Sequence, residues 1–187
     1  MCLFKNDEGR TKQCTMIIPG LYIGSLRDSK DINQLEKNKI THILSIIENP
    51  RKYYHNKNYM FVKAYDSPEQ NLIQYFTICN NFIHKARLKD QNVLIHCLAG
   101  MSRSVTIVAS YIMSVTNIKL KHAIRLLKLC RPIASPNEGF NKQLQYFELY
   151  YLSEERDRLK SFSTTNKQLK ADEEYCKRFI EDFQKQF

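Results

Sequence analysis

The chain has 187 residues, enough for one domain with a modest extension and a sizeable core. Its formal charge of +10 falls wholly on residues 1–152, which hold 21 of the 29 Lys/Arg and 11 of the 19 Asp/Glu; from Ser153 onward there are eight of each. No apolar run reaches membrane-spanning length, no cleavable signal is evident, and six scattered cysteines form neither C-x-x-C pairs nor zinc-spaced clusters. A transmembrane protein, a disulfide-stapled secreted domain and a zinc module are thereby disfavoured. A reducing compartment is expected, the cytoplasm first and the nucleus second. The positive field suits phosphorylated or acidic partners, although solubility alone would explain it equally well. Without a basic run interleaved with aromatics, nucleic-acid binding is not expected. Residue 2 is Cys2 rather than glycine, so N-myristoylation is not expected, and whether Cys2 is S-acylated stays open.

Residues 1–15 read as a loose, polar leader. Two short extended pieces, Met16–Ile18 and Leu21–Ile23, flank a Pro19-Gly20 turn. Asp28 to Lys39 reads as a short helix with Ile32 and Leu35 on one face, and Ile40–Ile47 as a buried β-branched strand. Tyr59–Tyr65 is the next strand, ending at Asp66-Ser67-Pro68, a turn that also has the look of a helix start. From Glu69 the period changes, and Leu72, Phe76, Cys79, Phe82, Ile83 and Ala86 predict an amphipathic helix. Asn92–His96 reads as a buried strand, followed by a helix from about Ser102 to Thr116 that is apolar nearly all round. Leu120–Leu129 forms an amphipathic helix that stops before Arg131-Pro132. A further helix opens at Pro136-Asn137-Glu138-Gly139-Phe140 and runs to about Leu152.

The alternation predicts an α/β fold, with a mainly parallel twisted central sheet flanked by helices. The organisation is a leader (1–15), one domain (16–152) and a charged helical extension (153–187). In that extension Leu169, Cys176, Phe179, Ile180, Phe183 and Phe187 can line one face, which either docks on the domain or binds a partner; docking is favoured.

The chemistry concentrates at His96-Cys97-Leu98-Ala99-Gly100-Met101-Ser102-Arg103-Ser104. A tight loop from strand to helix turns consecutive backbone N–H groups inward, and the helix N-terminus adds positive potential. Residues 98–103 would thus surround a phosphate: Leu98, Ala99, Gly100, Met101 and Ser102 through backbone amides, and Arg103 with a bidentate guanidinium. The same environment favours the Cys97 thiolate. A lone cysteine ending a core strand would read as a buried thiol. Gly100, Arg103 and Ser104 at these spacings, directly before a helix, tell against that here.

The His-Cys-x-x-Gly-x-Ser-Arg-Ser pattern resembles the cysteine-based protein tyrosine phosphatases, in their dual-specificity branch. The resemblance spans roughly residues 16–152. It includes Ile18–Gly24, Thr41–Leu44, Ala64–Pro68, Arg131-Pro132 and Pro136–Phe140, and looks closest to small atypical members of the JNK-pathway-associated and myristoylated types. It implies hydrolysis of phosphotyrosine and phosphoserine/threonine on proteins through a cysteinyl-phosphate. Cys97 would be the nucleophile, Arg103 the phosphoryl clamp, and Asp66 the general acid and then base. Asp66 could equally cap a helix beginning at Pro68, with Ser67 as a competing cap. Ser104 is placed to donate to the thiolate, and His96 to brace the loop while neutral. Asn137 would hold the loop through its amide, a plain helix N-cap being nearly as good a reading. His42 and His84 read as structural. By analogy with the family, Cys130 could trap an oxidised Cys97, although a buried thiol ending a helix is preferred.

The loop carries no lysine, which disfavours phosphoinositide and RNA-triphosphate substrates, and no metal or cofactor is implied because Arg103 and the amides supply the positive field. Phosphoprotein substrates are expected, with MAP-kinase-pathway components as candidates, and the chain is expected to be a monomer. The rivals are a non-catalytic module that captures phosphoproteins on the same fold, and a phosphatase of a non-protein substrate.

Overall fold

The computed structural model describes residues 13–162, 165 and 167–184; the side chains of 182–184 are not described. The leader expected over 1–15 therefore lies mostly outside the described residues, as do Cys2, Phe187 and the Phe183 side chain. Five strands, β1 (Thr15–Ile18), β2 (Leu21–Gly24), β3 (Ile40–Ile47), β4 (Asn58–Lys63) and β5 (Asn92–His96), form one sheet in the order β1-β2-β5-β3-β4. Only β1 runs antiparallel; β2, β5, β3 and β4 are parallel, as expected.

The central strand β5 is apolar without alternation because both of its faces are covered. Leu94 joins Leu35, Ile40 and Ile43 in a small cluster under α1 (Ile32–Lys37). Val93 and Ile95 face the main core with Ile23, Leu44 and Ile46. At the centre of that core lies α3 (Arg103–Val115), in which all thirteen residues are buried. It packs on α2 (Phe76–Arg87), α4 (Leu120–Cys130), α5 (Glu138–Tyr150) and α6 (Leu152–Lys160). Three of its buried hydroxyls donate to carbonyls one turn back: Thr106 to Ser102, Ser110 to Ile107 and Ser114 to Ser110.

Three helix boundaries differ from the sequence reading, and the strand expected over Tyr59–Tyr65 is β4, which ends two residues earlier, at Lys63. The helix expected over 28–39 is a 3-10 turn, Asp28–Lys30, followed by α1, which Asp31 caps by accepting from the Gln34 amide. The helix expected from Glu69 begins as a 3-10 turn at Ile73 and becomes α2 only at Phe76. The helix expected to end near Leu152 breaks at Tyr151 and resumes as α6.

The charged segment after Ser153 packs on the domain. In α6, Leu152, Glu155 and Leu159 are buried, and Glu155 accepts from Asn80 Nδ2 at 2.9 Å and from Arg158 Nη2 at 2.7 Å. On α7 (Lys167–Gln184), Cys176 and Ile180 are buried, and Leu169, Tyr175 and Phe179 are partly so. Asp172 accepts from Arg87 Nη1 at 2.7 Å and Nη2 at 2.8 Å, both side chains being buried. Arg87 also donates to Tyr111 Oη and to the Pro19 carbonyl. Among the described residues no helix is long and apolar enough to cross a membrane.

Candidate active site

The carboxyl ends of the four parallel strands lie along one sheet edge, because the register pairs Gly24 with His96, Ser45 with His96, and Ile47 with Lys63. Four short segments follow there: Ser25–Arg27 after β2, Glu48 after β3, Ala64–Pro68 after β4 and Cys97–Ser102 after β5. In open parallel sheets this edge is where ligands bind.

The loop after β5 is fixed by its carbonyls. The Cys97 carbonyl lies 3.2 Å from His96 Nδ1 and the Leu98 carbonyl accepts from the Leu26 amide. Arg131 serves the Ala99 and Gly100 carbonyls. The Met101 carbonyl accepts from the Ser135 amide, and that of Ser102 from the Thr106 amide. Six consecutive carbonyls thus have partners, four of them in neighbouring segments, which leaves the N–H edge of the loop to face inward. Gly100 makes the bend at φ +68°; a Cβ there would lie 2.5 Å from the Gly24 carbonyl oxygen.

Cys97 is buried, and its sulfur receives the Gly100 amide at 3.2 Å and lies 3.4 Å from Ser104 Oγ. Burial alone would push its pKa up. The Ser104 hydroxyl, loop amides and the Arg103 charge outweigh that, and the thiol titrates below its ordinary 9.0. Burial pulls His96 down to about 4, so it is neutral.

Arg103 opens α3 with its guanidinium buried and held: Nη1 donates to the Ala64 carbonyl at 2.9 Å and meets Glu48 Oε1 at 3.4 Å. Its Nε is buried without a hydrogen bond and lies 3.6 Å from Asp66 Oδ2. Asp66 therefore stands beside the Arg103 guanidinium, three residues beyond β4. It caps no helix: α2 starts ten residues later with Tyr75 at its N-cap and no side-chain bond there, so both capping readings, Asp66 and Ser67, fall.

Asn137 is a cap and more. Its Oδ1 accepts from the Phe140 amide at 2.9 Å, and its Nδ2 donates to Asp66 Oδ1 at 3.0 Å. Only its backbone reaches the loop, donating to Ser102 Oγ at 3.2 Å. The amide expected to hold the phosphate loop thus holds Asp66 instead.

The rest of α5 supports the same segment. Gln143 accepts from the Leu72 and Ile73 amides and donates to the Gln70 carbonyl. Gly139 lies so close to Pro68 that a Cβ would sit 1.9 Å from the Pro68 carbonyl oxygen. Sequence reasoning passed over Glu48, Gln143 and the contacts of Arg131. Of these only Arg131 carried a signal, as part of the Arg131-Pro132 pair. Cys130, half-buried at the end of α4, precedes it. Among the described residues no cluster of three or more His, Cys, Asp or Glu side chains is gathered as a metal site needs.

A family model described as dual specificity phosphatase, catalytic domain, matches residues 21–149. The chain belongs to the dual specificity phosphatases. Dual specificity protein phosphatase 22-B of Danio rerio is 47% identical to it over 144 residues, 77% of this chain and 79% of that protein. Dual specificity protein phosphatase 22 of Homo sapiens is 46% identical over 144 residues, covering 77% and 78%. The crystal structure of DUSP15 superposes with a TM-score of 0.79 at 41% identity, covering 81% of this phosphatase and 97% of that chain. This dual specificity phosphatase is accordingly a protein phosphatase of the small atypical type, with the α/β fold expected; α6 and α7 follow the residues matched by the family model.

Proposed function

We propose that the phosphatase works through a phosphoenzyme on Cys97, with Arg103 as the phosphoryl clamp and Asp66 as the acid. The observation that carries this reading is the convergence of the Cys97 sulfur, the inward loop amides, the Arg103 guanidinium and the Asp66 carboxyl at one sheet edge. The substrate phosphate lies in the loop with three oxygens on the amides of 98–103 and on Arg103. The Cys97 thiolate attacks phosphorus; an S–P bond forms as the P–O bond to the side-chain oxygen breaks. Protonated Asp66 gives its proton to that departing oxygen. Asp66, now a carboxylate, takes a proton from water, whose oxygen attacks phosphorus while the S–P bond breaks. The Ser104 hydroxyl donates to the sulfur as it leaves, and inorganic phosphate departs.

The mouth of the loop presents Leu98 and Met101, 60% and 43% exposed and uncharged, which suits a protein side chain better than a polyphosphorylated lipid. Phosphotyrosine and phosphoserine/threonine proteins are the substrates, MAP-kinase-pathway components among those to test. The decisive experiment is hydrolysis of p-nitrophenyl phosphate and of phosphopeptides by wild type and Cys97→Ser. Turnover is expected to vanish in the variant while phosphopeptide binding persists; residual turnover near the wild-type rate would remove Cys97 from the mechanism.

A further inference from the structure

Arg131 is the largest fully buried side chain among the described residues, 1% exposed, and it lies directly behind the phosphate loop. Nε donates to the Gly100 carbonyl at 2.7 Å and Nη2 to that of Ala99 at 3.4 Å. On its other side Nη1 donates to Thr15 Oγ1 at 3.1 Å and to the Gln13 carbonyl at 3.4 Å. All four acceptors are neutral. Among the described residues no carboxylate comes within ion-pair distance of it, in contrast to Arg87, the other deeply buried guanidinium outside the loop, which Asp172 clamps.

A buried cation without a contacting anion is costly, so its charge has to be answered from further off. Burial weakens the protonated form of Arg131. Asp28, which itself is held by Ser25 and Gln34, and the Cys97 thiolate act in the opposite sense. The packing is also tight: a Cβ on Gly100 would sit 2.7 Å from Arg131 Nη2. The apex of the loop, the end of β2 and this guanidinium leave no room for a methyl group.

We propose that Arg131 is a positioning residue of the phosphatase, locking the Ala99–Gly100 apex with its amides inward and setting a second positive charge behind Cys97. This rests on Cys97 being the nucleophile. Arg103 grips the phosphate from the front, and Arg131 fixes the backbone that grips it from behind. Through Gln13 and Thr15 the same side chain ties the start of β1 to the loop.

The test compares Arg131→Met and Arg131→Lys with wild type, after circular dichroism and thermal melts establish the folded fraction. Two readouts are used: the pH dependence of Cys97 alkylation by iodoacetamide, followed by peptide mass spectrometry, and competitive inhibition by inorganic phosphate. In Arg131→Met the alkylation midpoint is expected to rise by about one pH unit, as loss of a nearby charge does, and the phosphate inhibition constant to rise roughly tenfold. In Arg131→Lys the midpoint stays near wild type because the charge remains, while phosphate inhibition still weakens because one ammonium cannot span both carbonyls. A folded Arg131→Met with both readouts unchanged overturns the proposal. Should that variant not fold, unchanged phosphate inhibition in folded Arg131→Lys does the same. Wild-type activity that survives complete alkylation of Cys97 would instead overturn the phosphoenzyme reading itself.

Discussion

At the scale of single residues, the proposed mechanism depends on keeping a buried sulfur anionic. Burial works against the Cys97 thiolate, and Ser104, the loop amides and Arg103 work for it with the greater effect. The acid limb of kcat/KM should therefore have its midpoint below the ordinary thiol value of 9.0, activity rising as pH climbs through it. A limb centred at or above 9 in a pH–rate profile would contradict this balance. Ser104→Ala removes one of these supports and the donor to the departing sulfur. It should shift the limb upward and slow breakdown of the intermediate by roughly 10- to 100-fold, seen as a burst of p-nitrophenol ahead of a slow steady state. Cys97, Arg103 and Ser104 could be grouped from the sequence because the proposed nucleophile, clamp and thiolate donor fall within eight contiguous residues. Glu48 and the contacts of Arg131 were not legible there, because each reaches the site from a different strand or helix end, and no periodicity links residue 131 to residues 99 and 100.

Among the elements, α5 does the most to place Asp66, the proposed acid. Asn137 holds the Asp66 carboxyl, Gln143 takes the Leu72 and Ile73 amides, and Gly139 lets Pro68 approach. These contacts also explain why the helix expected from Glu69 starts only at Phe76. The backbone donors at Leu72 and Ile73 go to Gln143, and that of Tyr65 goes to the Gln70 side chain. A helical period in the sequence cannot register a competitor seventy residues away. The Gly139→Ala variant must push the Pro68 backbone aside and carry Asp66 with it. Its kcat on an alkyl or aryl phosphate with a poor leaving group should fall by about 10- to 100-fold, while inhibition by vanadate stays close to wild type. Equal losses in both would mean that α5 supports the phosphate loop rather than the acid. The sheet order itself was only partly readable: alternating strands and helices implied parallel pairing, but not that β5 would sit between β2 and β3.

For the molecule as a whole, the charged segment after Ser153 closes the core. Its apolar face was visible in the spacing of Leu169, Cys176, Phe179 and Ile180, whereas Asp172 looked like any residue of a solvated face. Asp172→Asn leaves Arg87 charged and buried without its anion, which should lower unfolding stability by about 3–5 kcal/mol in urea titrations. Arg87→Met combined with Asp172→Leu should recover most of that loss, and a double variant as weak as the single one would refute the assignment. Acid is expected to weaken the fold as well. His84 and His96 are buried and held at about 4, below the 6.5 of an exposed imidazole. Between those values the unfolded chain binds the extra protons, so stability falls as pH drops from 6.5 toward 4. Urea midpoints that are flat across that window would contradict it.

The Arg87–Asp172 pair also has a consequence in time. Its two halves are separated by eighty-five positions, which a ribosome takes roughly 4–17 s to cover at ordinary elongation rates. That interval opens with Arg87 made and β5 and the phosphate loop still to come; both follow within it, and the carboxylate that neutralises Arg87 arrives only at its end. The proposed catalytic residues are thus synthesised before the core that contains them can shut, and the arrival of α7 decides when that core closes.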